Sequence, residues 1–382
     1  MGFFCAVICL MGWGLADLFY KKSSDEEDKL SHLKIAVWVG LVMGVCAIIL
    51  MLISDGCHTY TFKTIAANGI IYFPASLSYI ISMVIGYAGL RYLEVSIISP
   101  VQNSSGGLAA AAMILWFVLT GKYINIADEY GIVEIIGIIL CVAGVVMLAV
   151  AQKKLEKNGQ MHSKACDSPK NTTVDSGSIY TQKADSGIIP LQNAGSYSES
   201  THGAISHSTP VHDTFSHSKL SHSTFSPGTI SHSAKALIFP ILYCIFDTVG
   251  TAADGIILDV ETGLGLSEID VLILYGLTFF VMAIAAWVYM LIKNKELYNP
   301  FESVEIKNKG VAALFEEFGQ IFYVYAMADN PVTAAPIVAS YCIVSVVLSH
   351  VFLKERLEKS QYACVICTIA GIVILGVAEG AA

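Results

Sequence analysis

Acidic and amide side chains set inside long apolar stretches offer the most chemistry in this chain. Asp247, Gly250 and Asp254 stand at i, i+3 and i+7 of one such stretch, so a helix brings them onto a single stripe with room for a close approach. Glu316 and Glu317 lie in another, with Gln320 and Tyr323 completing the face of Glu316. Asp17 is one turn from Trp13 and close to Tyr20. Gln102, Asn103, Ser104 and Ser105 follow Pro100, and Ser340 and Tyr341 follow Pro336. An ionisable group at bilayer depth costs about 3 kcal/mol on insertion scales, and such groups face cavities and mark substrate or proton pathways. The chemistry on offer is therefore the binding of a cationic group or the carriage of a proton. Asp247 and Glu317 lead the candidates, followed by Gln320, Asn103, Ser104, Asp17, Trp13, Tyr341, Asp254 and Glu316. Pro100 and Pro336 remove a backbone donor and loosen a turn, so both are candidate helix breaks that free carbonyls toward a cavity. The plainer alternative is that the polar side chains only bond neighbouring helices.

The elements that carry these residues follow from composition. The chain is 55% hydrophobic and only 14% charged, whereas soluble domains carry about 25% charge. A bilayer core needs roughly 20 helical residues. Ten apolar stretches meet that length, near 2–20, 33–54, 68–90, 95–119, 130–151, 236–258, 269–292, 310–328, 331–353 and 361–379. They are continuous rather than alternating, which excludes barrel strands. The fold class is an all-α membrane protein of ten transmembrane helices. The first stretch lacks a basic leader and a small-x-small cleavage site, so it reads as helix one rather than a signal peptide. Ten cysteines are scattered, mostly inside apolar stretches, which is core usage rather than a disulfide framework. Cys364-x-x-Cys367 reads as helix packing. The small residues Gly106, Gly107, Gly144 and Gly371 read as packing faces.

The stretches fall five and five about a polar segment, and each half closes alike. Ala143–Ala151 (AGVVMLAVA) aligns without gaps with Ala370–Ala378 (AGIVILGVA), six of nine positions being identical. An internal repeat of five hydrophobic helices is the sequence mark of a secondary transporter with a midplane site between homologous bundles. Five crossings return the chain to the opposite face, so the second repeat must be inverted. The charges agree: the first loop of half one holds four lysines while its counterpart after helix six holds none, and the second loop reverses that contrast. Loops after the odd helices carry 20 of the 22 basic residues, leaving only Lys63 and Lys122 for the other side. The positive-inside rule puts those loops in the cytoplasm and both termini outside. The domain boundaries expected are 1–151 for the first repeat, 152–234 for a linker and 235–382 for the second repeat.

Residues 152–234 are rich in Ser, Thr, His, Asn and Gly, and have too few apolar side chains to offset chain entropy, so disorder is expected. Histidines recur every five residues at 202, 207, 212, 217 and 222, and again at 232. His207, His212, His217 and His222 are weak metal-ligand candidates, since neutral imidazoles capture zinc, nickel or copper; tandem expansion of a tolerated linker gives the same pattern. A metal-ion transporter or metal-sensing membrane protein is the alternative function on this ground. No cofactor motif is present. H-E-x-x-H and a G-x-S-G nucleophile turn are absent from the sequence, so an enzyme is not expected. The expected partners are a small-molecule substrate and the lipid bilayer. No basic face for nucleic acid exists, and a homodimer is left open.

Two segments resemble the EamA-domain branch of the drug/metabolite transporter superfamily. One is Trp13-Gly14-Leu15-Ala16-Asp17 with Tyr20 and Lys21. The other is Ala334-Ala335-Pro336 leading to Phe352-Leu353-Lys354-Glu355-Arg356-Leu357, which is similar to that family's F-L-x-E-R-L signature, followed by a closing helix with Ala370 and Gly371. The first half reads Phe117-Val118-Leu119-Thr120-Gly121-Lys122 at the corresponding place and departs from the signature. The resemblance implies two inverted five-helix domains that move small organic metabolites by alternating access, often outward; with the intramembrane acids, the function expected is a secondary transporter, an exporter, of a small polar metabolite driven by a proton or substrate gradient. It also implies a multi-pass protein of the plasma (inner) membrane. Many ten-helix relatives keep both termini in the cytoplasm, against the charge distribution, which is the reading adopted.

Overall fold

A computed structural model describes residues 1–24, 28–54, 60–93, 95–122, 130–166, 236–259, 266–295, 298–353 and 358–381. The histidine period and Lys354 to Leu357 of the signature lie outside them. Among the described residues there are helices and no strands, as a bilayer requires of a chain whose backbone groups must be satisfied within each crossing. In order these are α1 (Gly2–Ser23), α2 (Ser31–Ile53), α3 (Phe62–Gly89), α4 (Val95–Gln102), α5 (Ser105–Leu119), α6 (Ile132–Cys166), α7 (Ile238–Leu258), α8 (Glu268–Asn294), α9 (Val311–Asp329), α10 (Pro331–Ala339), α11 (Tyr341–Leu348) and α12 (Lys359–Ala381). The pairs α4/α5 and α10/α11 are each one crossing broken in the middle. α6 runs past residue 151, where the linker was expected to begin, and ends at Cys166.

Among the described residues nine crossings are long and apolar enough to span a bilayer by length and composition. The tenth, α9, is 19 residues long and carries Glu316, Glu317 and Gln320. Its apolar neighbours make it a crossing all the same. Exposed Ile49, Leu52, Leu115, Ile139, Val281, Ile284 and Ile366 stud the outer surfaces, an apolar girdle that only lipid can cover. The chain is thus an all-α, multi-pass membrane protein. Helix ends are set by ordinary capping. Thr61 caps α3 through the Thr64 N–H. Ser267 and Asp270 form a capping box on α8. Asn330 caps α10 with Pro331 in its first turn.

Numbering the crossings one to ten, the principal packing pairs are 2 with 7, 5 with 10, 1 with 8, 3 with 6, 4 with 9, 1 with 9 and 4 with 6, and then 2 with 8 and 3 with 7. Adding or subtracting five from every number returns the same set. Contacts among the ends follow the alternation of ten crossings. On the side of the odd loops, the Lys21 ammonium donates to the Leu90 and Leu93 carbonyls, and Arg91 donates to the Lys29 carbonyl. On the same side Lys34 pairs with Asp28 at 2.8 Å and Lys309 with Glu305 at 2.7 Å. Burial acts to raise the Asp28 carboxyl, but Lys34 and the Leu30 N–H together hold it below its ordinary value. Burial and the nearby Glu305 carboxylate push the Tyr298 phenol well above its usual range. On the opposite side Lys122 pairs with Asp259, and Tyr130 reaches Asn330 at 3.5 Å. There too, Asp329 receives the Gly2 N–H at 2.8 Å.

Glycines let several crossings approach backbone to backbone, Gly40 and Gly106 among them. A methyl on Gly40 would meet the Phe279 carbonyl at 2.2 Å, which fixes how near α2 lies to α8. A methyl on Gly106 would meet Ala339 Cβ at 2.3 Å and the Ala335 carbonyl at 2.6 Å, so the two broken crossings touch at their breaks.

Candidate functional site: a central acidic and aromatic cavity

The two breaks are built alike. Four residues after Pro100, Ser104 donates its hydroxyl to the Pro100 carbonyl at 3.1 Å. Four residues after Pro336, Ser340 does the same at 2.7 Å. At the second break the Ser340 N–H has turned back to the Ile337 carbonyl at 3.0 Å. The hydroxyl therefore takes the place of the amide on the proline carbonyl, a local side-chain substitution for a helix bond. Serine hydroxyls thus occupy both proline carbonyls. Neither proline lines the cavity. What the breaks deliver instead is side chains, namely Gln102, Asn103, Ser105 and Gly106 from one and Ala335, Val338, Ala339 and Tyr341 from the other.

Between these breaks and α1, α3, α7, α8 and α9 lies a cavity whose free space is about 50 Å³, room for a few waters. Three carboxylates face it: Asp17 from α1, Asp247 from α7 and Glu316 from α9. Asp17 Oδ2 accepts hydrogen bonds from the Ser99 and Ser345 hydroxyls, each at 2.8 Å. Because these serines come from crossings four and nine, one carboxylate ties α1 to both broken helices. Asp247 Oδ2 accepts from the Ser105 hydroxyl at 2.6 Å. The Trp13 indole donates to the Glu316 backbone carbonyl at 3.1 Å and stacks on Tyr323 with centroids 5.2 Å apart. Tyr341 stands edge-on to Trp13 at 5.7 Å. Tyr79 stands edge-on to Tyr275 at 5.6 Å, and Tyr20 lies tilted against Tyr87 at 5.0 Å.

The cavity is bounded along the membrane normal. Its lining reaches Tyr87 and Leu90 at the odd-loop end of α3. At the opposite end Tyr79 and Tyr323 hydroxyls meet at 2.6 Å, and Tyr79 donates to Thr251 at 3.2 Å. Behind this hydroxyl layer Asp254 is fully buried and off the cavity. Tyr72, Tyr79 and Tyr323 face it. Met113, Met327 and Pro331 pack around the adjacent Gly255.

The candidates read from sequence divide accordingly. Trp13, Asp17, Asn103, Asp247, Glu316 and Tyr341 come together on the cavity. Glu317 does not: one residue further around α9, it turns toward Cys46 on α2. Gln320 is buried outside the lining, and Ser104 is spent on the Pro100 carbonyl. Sequence reasoning missed the tyrosines of α3. Tyr72, Tyr79 and Tyr87, spaced by seven and eight residues, form a stripe on one face of the helix, and that spacing was the available signal. Tyr243, Thr251 and Tyr275 were missed as well.

Residues 257–377 match the model of the EamA-like transporter family, most of the second half of the chain. No protein of curated function matches it. Solved structures do: one crystal structure of a protein aligns over 98% of this chain and 96% of its own, with a TM-score of 0.52 at 10% identity. That likeness is one of fold.

Proposed function

We propose that this EamA-like membrane protein is a secondary transporter that carries a small polar metabolite through the central cavity by alternating access, as an exporter driven by a proton or substrate gradient. Members of the matched family are transporters, which supports a transporter reading. The observation that carries the finer reading is the cavity itself, polar and acidic, placed where two broken crossings meet. Around it the helix contacts repeat after five crossings, which supports two equivalent bundles of 1–151 and 235–382 able to rock about a shared site. The Tyr79–Tyr323–Thr251 layer is the closed end of such a path in this conformation, and the odd-loop end is the side from which substrate enters. An acid in the cavity serves coupling because it exchanges a proton for a ligand contact as the cavity changes sides. No group of three or more His, Cys, Asp or Glu among the described residues is arranged to hold a metal ion, so nothing in them favours the metal-transport alternative.

The test is flux. The purified chain in proteoliposomes, offered a pool of labelled polar metabolites under an imposed pH gradient, is expected to accumulate a subset of them. Asp247→Asn is expected to abolish the pH-dependent component with normal amounts of protein in the membrane. Flux no greater than in empty liposomes for the whole pool would remove the transporter reading. Normal gradient-driven flux in both Asp247→Asn and Glu316→Gln would remove the acids from it.

A further inference from the structure

The charge of the cavity lining is one-sided. Asp17, Asp247 and Glu316 face it, while no lysine, arginine or histidine is among its lining residues. The donors onto Asp17 and Asp247 are neutral serine hydroxyls. Three ionised carboxylates in one small space shielded from water repel each other and lose hydration worth several kcal/mol per ion. The empty cavity must therefore hold protons on them, or be filled by something positive. The rest of the lining says what kind of positive group. Trp13 and Tyr323 present stacked rings, Tyr275 and Tyr341 present further faces and edges, and Met83, Leu90 and Val338 add apolar surface. Aromatic faces beside carboxylates hold alkylammonium groups through cation–π attraction. They are poor ligands for a hard metal ion, which wants a shell of oxygen atoms.

We infer that the substrate is an organic cation, a protonated amine or quaternary ammonium group on an apolar or aromatic body, and that its binding displaces protons from the cavity carboxylates. The inference rests on the proposed transport function and names its substrate class. Both members of the exchange use one set of groups, so cation and protons cannot occupy the cavity together, and this exclusion is what turns a proton gradient into outward movement of the cation. The titratable groups involved come from each packed element. α1 supplies Asp17 and Tyr20, and its Cys9 lies near Glu316. α3 supplies Tyr79 and Tyr87, and α7 supplies Tyr243 and Asp247, with Asp254 behind. α8 supplies Tyr275. α9 supplies Glu316 and Tyr323, with Glu317 alongside, and α11 supplies Tyr341. Among these the carboxyl groups are the strongest acids, whereas phenols and thiols give up their protons only at higher pH. In the present conformation the free space is about 50 Å³, so the cavity accepts the ammonium head while the apolar body requires the odd-loop end to widen.

Three ligands of one shape separate charge from size: tryptamine is a cation, tryptophol is neutral and indole-3-propionate is an anion at pH 7. Titrated into the purified full-length chain by calorimetry, tryptamine is expected to bind at least about tenfold more tightly than the other two. In weak buffer it is expected to release protons, its affinity rising about tenfold per pH unit for each proton displaced. Glu316→Gln is expected to lower the number of protons released. Asp247→Glu, which keeps the charge, is expected to retain cation preference and so guards against a variant that merely misfolds. Equal binding of the neutral or anionic ligand, or cation binding with no proton release, would overturn the inference. So would failure of tryptamine, choline and tetraethylammonium alike to bind wild type. Cation binding without flux of any metabolite would leave the cation site standing and sink the transporter reading, whereas flux confined to neutral or acidic metabolites would do the reverse.

Discussion

At the scale of single residues, the helix decides which of two adjacent glutamates has a role in the cavity. Consecutive side chains on an α-helix point about 100° apart, so Glu316 and Glu317 cannot share a surface. Glu316 is 7% exposed and faces the cavity, whereas Glu317 turns to Cys46. Glu316→Gln is accordingly expected to cut gradient-driven flux by about tenfold or more, equivalent to a loss of about 1.4 kcal/mol, and Glu317→Gln to leave it within about twofold. Initial rates in proteoliposomes check both; the reverse ranking would mean that the substrate path runs between α2 and α9 rather than through the cavity. The sequence favoured Glu317 because spacing alone cannot set the rotation of a helix whose apolar residues lie on every side. Asp247 was legible because it is an isolated acid in mid-helix. The tyrosines were not, since a tyrosine in an apolar run reads equally well as core or as interfacial anchor.

At the scale of elements, the crossings themselves were plain, because roughly 20 continuous apolar residues leave the backbone no alternative to a helix in lipid. Even α9 was found from its length and flanks despite two glutamates. The breaks were legible only as prolines. That serine hydroxyls, four residues on, would occupy the proline carbonyls depends on rotamers and on the turn of the Ser340 amide, which sequence does not specify. The contact of the two breaks gives a prediction. Gly106→Ala puts a methyl 2.3 Å from Ala339 Cβ and 2.6 Å from the Ala335 carbonyl, while Gly40→Ala puts one 2.2 Å from the Phe279 carbonyl. Both force backbone apart and are expected to destabilise by about 1–3 kcal/mol, lowering the melting temperature of the detergent-solubilised protein. Gly106 lines the cavity and Gly40 does not, so Gly106→Ala is expected to lose flux beyond what its stability loss explains. Equal flux in the two variants at matched stability would show that the junction of the breaks plays no part in the transport cycle.

At the scale of the whole molecule, orientation follows from where the basic residues lie and gives the observed cavity its direction. The odd loops carry 20 of 22 lysines and arginines, and several at that face are engaged at its surface, as with Lys21 on the end of α3 and Lys34 on Asp28. Moving such a cluster across a bilayer during insertion is opposed for each charge, which is the physical content of the positive-inside rule. The cavity lining reaches this same face through Tyr87 and Leu90, while the Tyr79–Tyr323–Thr251 layer and buried Asp254 close the other. If the odd loops are cytoplasmic, the conformation described is one loaded from the cytoplasm, the resting state that an exporter of organic cations needs. A C-terminal fusion decides the matter. Alkaline phosphatase fused after Ala382 is expected to be active in intact cells, and green fluorescent protein at the same point to be dark, because the termini then face away from the cytoplasm. Bright fluorescence with inactive phosphatase would invert the molecule. The tyrosine-closed end would then face the cytoplasm, the cavity would receive its substrate from outside, and the same exchange of cation for protons would run as uptake.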